Sequence, residues 1–187
     1  MRVVLLGAPG SGKGTQATSL KTSLAVPHVS TGDLLRAAVK AATPLGLKAK
    51  AVMESGQLVS DEIVLDMLEE RLAHADAKRG FILDGYPRNV AQCAALEALL
   101  ERIEQPIDVA VKLDVPNEMI VERIAGRACA EGRKDDTPET VRERLRVYTE
   151  QTEPVAGYFA DKQKLVIVDG VGPLDAVFSR ILAALPK

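Results

Sequence analysis

The sequence predicts an α/β fold: a parallel sheet, five strands wide, covered by helices on both faces, with a helical insertion and a short polar segment beside it. Three observations predict it. Short runs of Val, Ile and Leu recur along the chain, and segments with helical spacing separate them. The runs are almost continuously apolar, which suits strands buried on both faces of a parallel sheet. A glycine-rich loop, Gly7-Ala8-Pro9-Gly10-Ser11-Gly12-Lys13-Gly14-Thr15, joins the first run to the first helix.

Taken in order, Val3–Leu6 reads as the first strand and Thr15–Leu24 as the helix after the loop. Val26–Val29 is a short second strand. Ser30-Thr31-Gly32-Asp33 has the polar residues of a helix cap and leads into Leu34–Ala41. Pro44 opens a helix over Leu45–Glu54, with Gly56 just past its end. Asp61 is expected to cap the next helix, where Ile63, Leu65, Met67, Leu68 and Leu72 recur at helical spacing. Phe81–Leu83 is a strand ending in Asp84-Gly85, Val90–Ile103 a helix, Val109–Leu113 a strand and Asn117–Arg127 a helix. The polar patch Ala128–Asp136 interrupts the alternation. Thr137 then caps a helix predicted over Pro138–Phe159, Leu165–Val168 is the last strand, and Leu174–Leu185 closes the chain.

Composition narrows the classes of function. At 187 residues the chain has the length of one domain and can bury a sizeable core. Its net charge of -2 argues against nucleic acid as a main partner, so any anion site must come from locally placed cations. Two cysteines, Cys93 and Cys129, are too few for a disulfide framework and have no companions at zinc-ligand spacing. A reducing, cytoplasmic setting is expected, with no zinc site. No apolar stretch approaches the roughly 18 residues of a membrane span. The first apolar run stops at Gly7, so no signal peptide is expected.

The glycine-rich loop has a chemical reading. Glycines permit the backbone angles that wrap several N–H groups around one anion, and a helix N-terminus adds unpaired donors and its positive dipole end. Lys13 would reach over the loop to the outer phosphates of a nucleotide. The spacing is that of the Gly-x4-Gly-Lys phosphate cradle, with Gly14 standing where a hydroxyl residue usually follows the lysine and Thr15 one place later. The fold expected is therefore of the P-loop type. In such sheets ligands bind at the carboxyl ends of the strands. The cradle, Asp84-Gly85-Tyr86-Pro87-Arg88 and Gly170-Val171-Gly172 all fall there.

These motifs carry a resemblance. Gly7–Thr15, Ser30-Thr31-Gly32-Asp33-Leu34-Leu35-Arg36, Asp84–Arg88, Gly126-Arg127 and Arg133-Lys134-Asp135-Asp136 are similar, in order and over essentially the whole chain, to the successive motifs of adenylate kinases. The resemblance implies reversible phosphoryl transfer from MgATP to AMP, giving two ADP. It implies one adenylate-kinase-like domain over 1–187: a core of 1–29, 60–125 and 137–187, an NMP-binding subdomain of 30–59 and a lid of 126–136. The lid is short, with five residues between Arg127 and Arg133. Short lids also occur in the related UMP/CMP kinases, which stand as the alternative. Nucleotides are the partners implied, without nucleic acid or membrane, and a monomer is expected.

Phosphoryl transfer runs through a loose transition state, so catalysis is mostly positioning and electrostatic stabilisation. Guanidinium groups suit that task because each can grip phosphate oxygens bidentately. Arg36, Arg88, Arg123, Arg127, Arg133 and Arg144 are the candidates. Arg144 is about 200° of helix turn from Arg142 and Arg146, which read as solvated surface residues. By resemblance, Lys13, Arg88, Arg123, Arg133 and Arg144 form the catalytic set. ATP is expected at Gly10, Ser11, Gly12, Lys13, Gly14, Thr15, Arg123, Arg127 and Gly172. AMP is expected at Thr31, Arg36, Gln57, Leu58, Val59, Gly85, Tyr86, Pro87, Arg88, Gln92, Arg133 and Arg144, with Gln92 pairing to the adenine. Asp84 is expected to meet Mg2+ through water. His28 and His74, without acid or base partners in sequence, are expected to be structural. A slow nucleotide switch is a third reading, but a guanine-reading Asn-Lys-x-Asp run does not occur.

Overall fold

The structure, a computed structural model, describes residues 1–131 and 137–186, with backbone alone for 125–131. Five strands form one sheet: β1 (Arg2–Leu6), β2 (His28–Ser30), β3 (Phe81–Asp84), β4 (Val109–Asp114) and β5 (Leu165–Asp169). Their order is β2-β3-β1-β4-β5, and every pairing is parallel. β1 lies at the centre, with Val4 level with Leu83 of β3 and with Ala110 of β4.

Successive strand residues point to opposite faces, and both faces are covered. On one face Val3, Leu5, Ile82, Val109, Val111 and Val168 pack against Ala17 and Leu20 of α1 (Lys13–Leu24) and Val177 and Ile181 of α9 (Leu174–Ala184). On the other, Val4, Leu6, Phe81, Leu83 and Ala110 meet α4 (Asp61–Leu72), α5 (Val90–Arg102) and α8 (Pro154–Asp161) through Leu68, Leu72, Leu96, Leu100, Val155 and Phe159. Truncating any one of these fully buried leucines to alanine should cost about 2–5 kcal/mol.

The insertion after β2 is a pair of helices, α2 (Thr31–Lys40) and α3 (Pro44–Glu54). Ser30 caps α2 by accepting from the Asp33 N–H, and Thr43 caps α3 by accepting from the Gly46 N–H. The two helices touch at Gly46, where a Cβ would stand 2.1 Å from the Ala38 carbonyl oxygen. Only glycine permits that approach.

Several boundaries depart from the sequence reading. β2 starts at His28, two residues late, because Pro27 has no N–H to give the ladder. Asp61 is the first residue of α4, not its cap, and Ser60 precedes it without a side-chain capping bond. The single helix expected over Pro138–Phe159 is broken into α7 (Pro138–Val147), a π-helical turn (Tyr148–Thr152) and α8. Pro154 is the cause: it lacks the N–H that α-helix would need, and the chain widens so that Glu153 N–H reaches the Tyr148 carbonyl at 2.8 Å. The helix α6 (Asn117–Glu131) also runs farther than expected, into the polar patch. No helix among the described residues is long and apolar enough to cross a membrane.

Candidate active site

A cleft of about 1030 Å³ opens at the carboxyl ends of β1, β2 and β3, between the cradle and α2. The connection from β1 leads toward β2, while that from β3 leads across β1 to β4, so the cleft lies at the switch point of the sheet.

The cradle is built on close backbone packing. Gly10 has φ +82°, and a Cβ there would stand 2.6 Å from Ile124 Cγ1 of α6. Gly12 takes the left-handed conformation at the N-cap of α1, which has no side-chain cap and no acidic residue in its first turn. The first N–H groups of α1 therefore face the cleft with the dipole unopposed. Lys13 folds over the loop: its Nζ donates to the carbonyls of Gly7 (2.6 Å) and Ala8 (2.9 Å). Arg123, on α6, ties the cradle to the β5–α9 turn by donating to Ser11 O at 3.3 Å and Gly170 O at 3.2 Å. Gly172 and Thr15 line the same end of the cleft.

Opposite the cradle a second cationic group assembles. Arg88, half-buried at the end of the β3 loop, donates through Nε to Gly85 O at 2.7 Å. Thr31 at the start of α2 donates to the same carbonyl at 2.9 Å. The Arg88 backbone carbonyl accepts from the Thr152 hydroxyl at 2.7 Å, a contact that the π-helical turn makes possible. Burial pulls Arg88 below the ordinary arginine range; Asp84 opposes this, and the Arg144 and Arg36 guanidinium groups reinforce it. Three guanidinium groups thus crowd one side of the cleft, an arrangement that favours a polyanion between them. Arg36 also meets Asp33 Oδ1 at 2.5 Å. Arg146, by contrast, is engaged on the surface by Glu143 and Glu150, and Arg142 is exposed, as the helix spacing predicts.

Asp84 stands between the two groups. Burial disfavours its charge, yet the His28 hydrogen bond, Lys13 and Arg88 together outweigh burial and hold the carboxyl below its ordinary value. His28 Nε2 lies 3.4 Å from Asp84 Oδ2. The sequence reading left His28 without a partner; parallel pairing of β2 with β3 supplies one, since His28 lies level with Ile82, two residues before Asp84 on the adjacent strand.

Gln57, Leu58, Val59, Tyr86, Pro87 and Gln92 complete the wall on the α2–α3 side. Gln57 donates to Glu143 of α7. Tyr86 is buried, and burial pushes its phenol well above the ordinary value. Gln92 is buried, with both ends of its amide engaged: Nε2 donates to Asp61 Oδ1, and Oε1 accepts from Arg88 N–H, each at 2.7 Å. Asn89 and Thr152 went unnoticed in sequence and Asp61 was read only as a helix cap, because the contacts Asn89–Asp61, Gln92–Asp61 and Thr152–Arg88 join segments far apart in the chain. The side chains of Arg127 and Cys129 lie outside what the structure describes, as do residues 132–136 with Arg133; residues 126–131 of the expected 126–136 lid are described as backbone of α6 alone. Cys93 is buried, and burial pushes its thiol up to about 12.

Comparison with known proteins agrees with the resemblance. A family model described as adenylate kinase matches residues 5–164. The chain is 65% identical over 187 residues to the adenylate kinase of Xanthomonas oryzae pv. oryzae (strain MAFF 311018), all of both chains being covered. It is 64% identical, with the same coverage, to the adenylate kinase of Xanthomonas campestris pv. campestris (strain B100). To the adenylate kinase of Xylella fastidiosa (strain 9a5c) it is 60% identical over 185 residues, 99% of each chain.

Proposed function

The chain belongs to the adenylate kinase family, and on that premise we propose that its cleft transfers the γ-phosphoryl group of MgATP to AMP, reversibly, giving two ADP. One observation carries the reading: a phosphate cradle and a separate cluster of guanidinium groups face each other across one cleft. A protein that holds a single nucleotide has no use for the second group.

The cradle N–H groups and the α1 N-terminus hold the ATP phosphates. Lys13 exchanges the Gly7 and Ala8 carbonyls for phosphate oxygens and stabilises the charge that builds on the transferred group. Arg36, Arg88 and Arg144 hold the AMP phosphate and turn one of its oxygens toward the γ-phosphorus. That oxygen forms the new P–O bond as the bond to the β-phosphate oxygen breaks, and the electron pair leaves with ADP. Arg123 lies against the ATP side. By family resemblance Arg127 joins it there, while Arg133 spans the two nucleotides. Residues 30–59 serve as the AMP-binding subdomain, with Gln92 and Thr31 reading the base.

The residues present suit Mg2+. Asp84 offers a buried, ionised carboxylate beside the cradle: a Cβ on Gly14 would stand 3.7 Å from Asp84 Oδ2. Thr15 adds a hydroxyl, so the donors are the hard oxygens this ion prefers, with water and phosphate filling the remaining positions. When bound, the ion neutralises charge on the phosphate oxygens.

Product analysis tests the reading. With ATP and AMP supplied together, two ADP should form for each AMP consumed. ADP and phosphate appearing at a rate independent of AMP would contradict it.

A further inference from the structure

Gln92 is expected to read the acceptor base, yet an amide alone cannot choose a base. Its oxygen and nitrogen ends differ little in shape, and a half-turn about the last side-chain bond exchanges them. One orientation offers an acceptor to a 6-amino group and a donor to N1. The other offers a donor to a 6-oxo group and an acceptor to an N1–H. Which purine is read depends on what fixes the amide.

The structure contains that fixture. The Gln92 Nε2 donates to Asp61 Oδ1 at 2.7 Å, and its Oε1 accepts from the Arg88 N–H at 2.7 Å. A carboxylate can only accept and a backbone N–H can only donate, so the chemistry of the partners decides which end is which. Asp61 is itself held. Asn89 Nδ2 donates to both of its oxygens at 3.2 Å, and the Asn89 Oδ1 caps α5 by accepting from the Gln92 N–H at 2.7 Å. Each amide atom of Gln92 keeps one further hydrogen-bonding capacity, a lone pair on Oε1 and an N–H on Nε2. That remainder complements the N6 donor and N1 acceptor of adenine. Turning the amide over would set Oε1 against the Asp61 carboxylate and Nε2 against the Arg88 N–H, leaving four part-buried polar groups facing like groups.

We infer that Asp61 is a positioning residue for acceptor choice: it fixes the polarity of the Gln92 amide and so makes the pocket select a 6-aminopurine monophosphate over its 6-oxo counterpart. The inference rests on the reading of the cleft as an ATP:AMP phosphotransferase. It adds a residue that touches no substrate and acts through one that does.

Asp61→Asn tests it, because the amide keeps the shape but can present either a donor or an acceptor to Gln92. The readout is kcat/KM for AMP against that for inosine monophosphate, with ATP as donor. The AMP preference should fall by about tenfold or more, through a higher KM for AMP and a gain with the 6-oxo nucleotide, while KM for ATP stays within about twofold. A purely structural tie between α4 and α5 would lower the melting temperature and slow both acceptors alike. An unchanged preference in a folded variant overturns the inference. Should the variant fail to fold, the wild-type protein decides: in NMR spectra the Gln92 Nε2 proton that faces the carboxylate should lie downfield of an ordinary glutamine side-chain amide and be protected from exchange with water. Gln92 side-chain amide protons at ordinary shifts that exchange freely with water overturn the inference. Wild-type protein inert toward AMP would fail the phosphotransfer reading itself, an outcome distinct from an active wild type whose Asp61→Asn variant keeps its preference.

Discussion

Lys13 donates a 2.6 Å hydrogen bond to the carbonyl of Gly7, so the cradle's own backbone holds the ammonium over the loop it serves. The lysine side chain lies in the cleft and not in either core cluster. Lys13→Met keeps most of the stem and removes the charge. Turnover should fall by roughly 10³–10⁵, the range associated with one critical cation in this chemistry, with little change in melting temperature. A variant keeping more than about a tenth of wild-type activity would contradict the role given to the cradle.

Arg88→Lys tests the second cationic group. The charge stays, but the planar fork that grips two phosphate oxygens is lost, and so is the Nε donor to Gly85 O. Steady-state kinetics should show kcat/KM for AMP reduced by about 30-fold or more, with KM for ATP nearly unchanged. Equal losses for both nucleotides would move Arg88 out of the acceptor site.

Thr152→Val probes the support behind Arg88. The substitution keeps the branched shape and deletes the hydroxyl that donates to the Arg88 carbonyl at 2.7 Å. Leaving that carbonyl short of its partner should cost about 1–3 kcal/mol in denaturant unfolding and raise KM for AMP. A variant as stable as wild type, with unchanged KM, would show that the π-helical turn does not hold the arginine.

Glu97 sets an acid limb of stability. Its carboxyl lies below its ordinary value, first because Lys162 donates to it, at 2.7 Å, and next because Tyr158 does, at 2.6 Å. A carboxyl lowered on folding stabilises the protein above its unfolded value and loses that contribution as pH falls through its folded value. The side chain is partly exposed, so solvent screening keeps the effect small. Wild type should be more stable than Glu97→Gln near neutral pH, and the gap should close below about pH 4.5. A gap that persists unchanged to about pH 3 would contradict the assignment.

The sheet was legible because its strands are apolar runs such as Val3–Leu6 and Val109–Leu113, whose burial on two faces leaves a plain mark on composition. The cradle was legible because two glycines and a lysine at fixed spacing, between an apolar run and a helix start, have few other uses. Arg144 could be separated from Arg142 and Arg146 by helix geometry alone. What stayed hidden depends on strand neighbours and helix pairs. His28 meets Asp84 only because β2 lies beside β3, 56 residues away in sequence. Asp61 looked like a cap, the usual place for such a residue, and its carboxylate instead faces Asn89, the cap of α5, and Gln92 in its first turn. The break at Tyr148–Thr152 was missed, the helix being read straight through Pro154, and so was the Arg88 carbonyl that Thr152 reaches.

Acceptor choice rests on the polar groups that line the α2–α3 side of the cleft. Thr31 lines the cleft beside Gln92, which keeps one N–H and one lone pair for a purine edge. A site built around paired polar groups rejects a base that leaves them unpaired. The direct measurement is kcat/KM for AMP, CMP and UMP with MgATP as donor. AMP should exceed both pyrimidine nucleotides by at least about a hundredfold; CMP or UMP proving the better acceptor would overturn the assignment of ATP:AMP phosphotransfer.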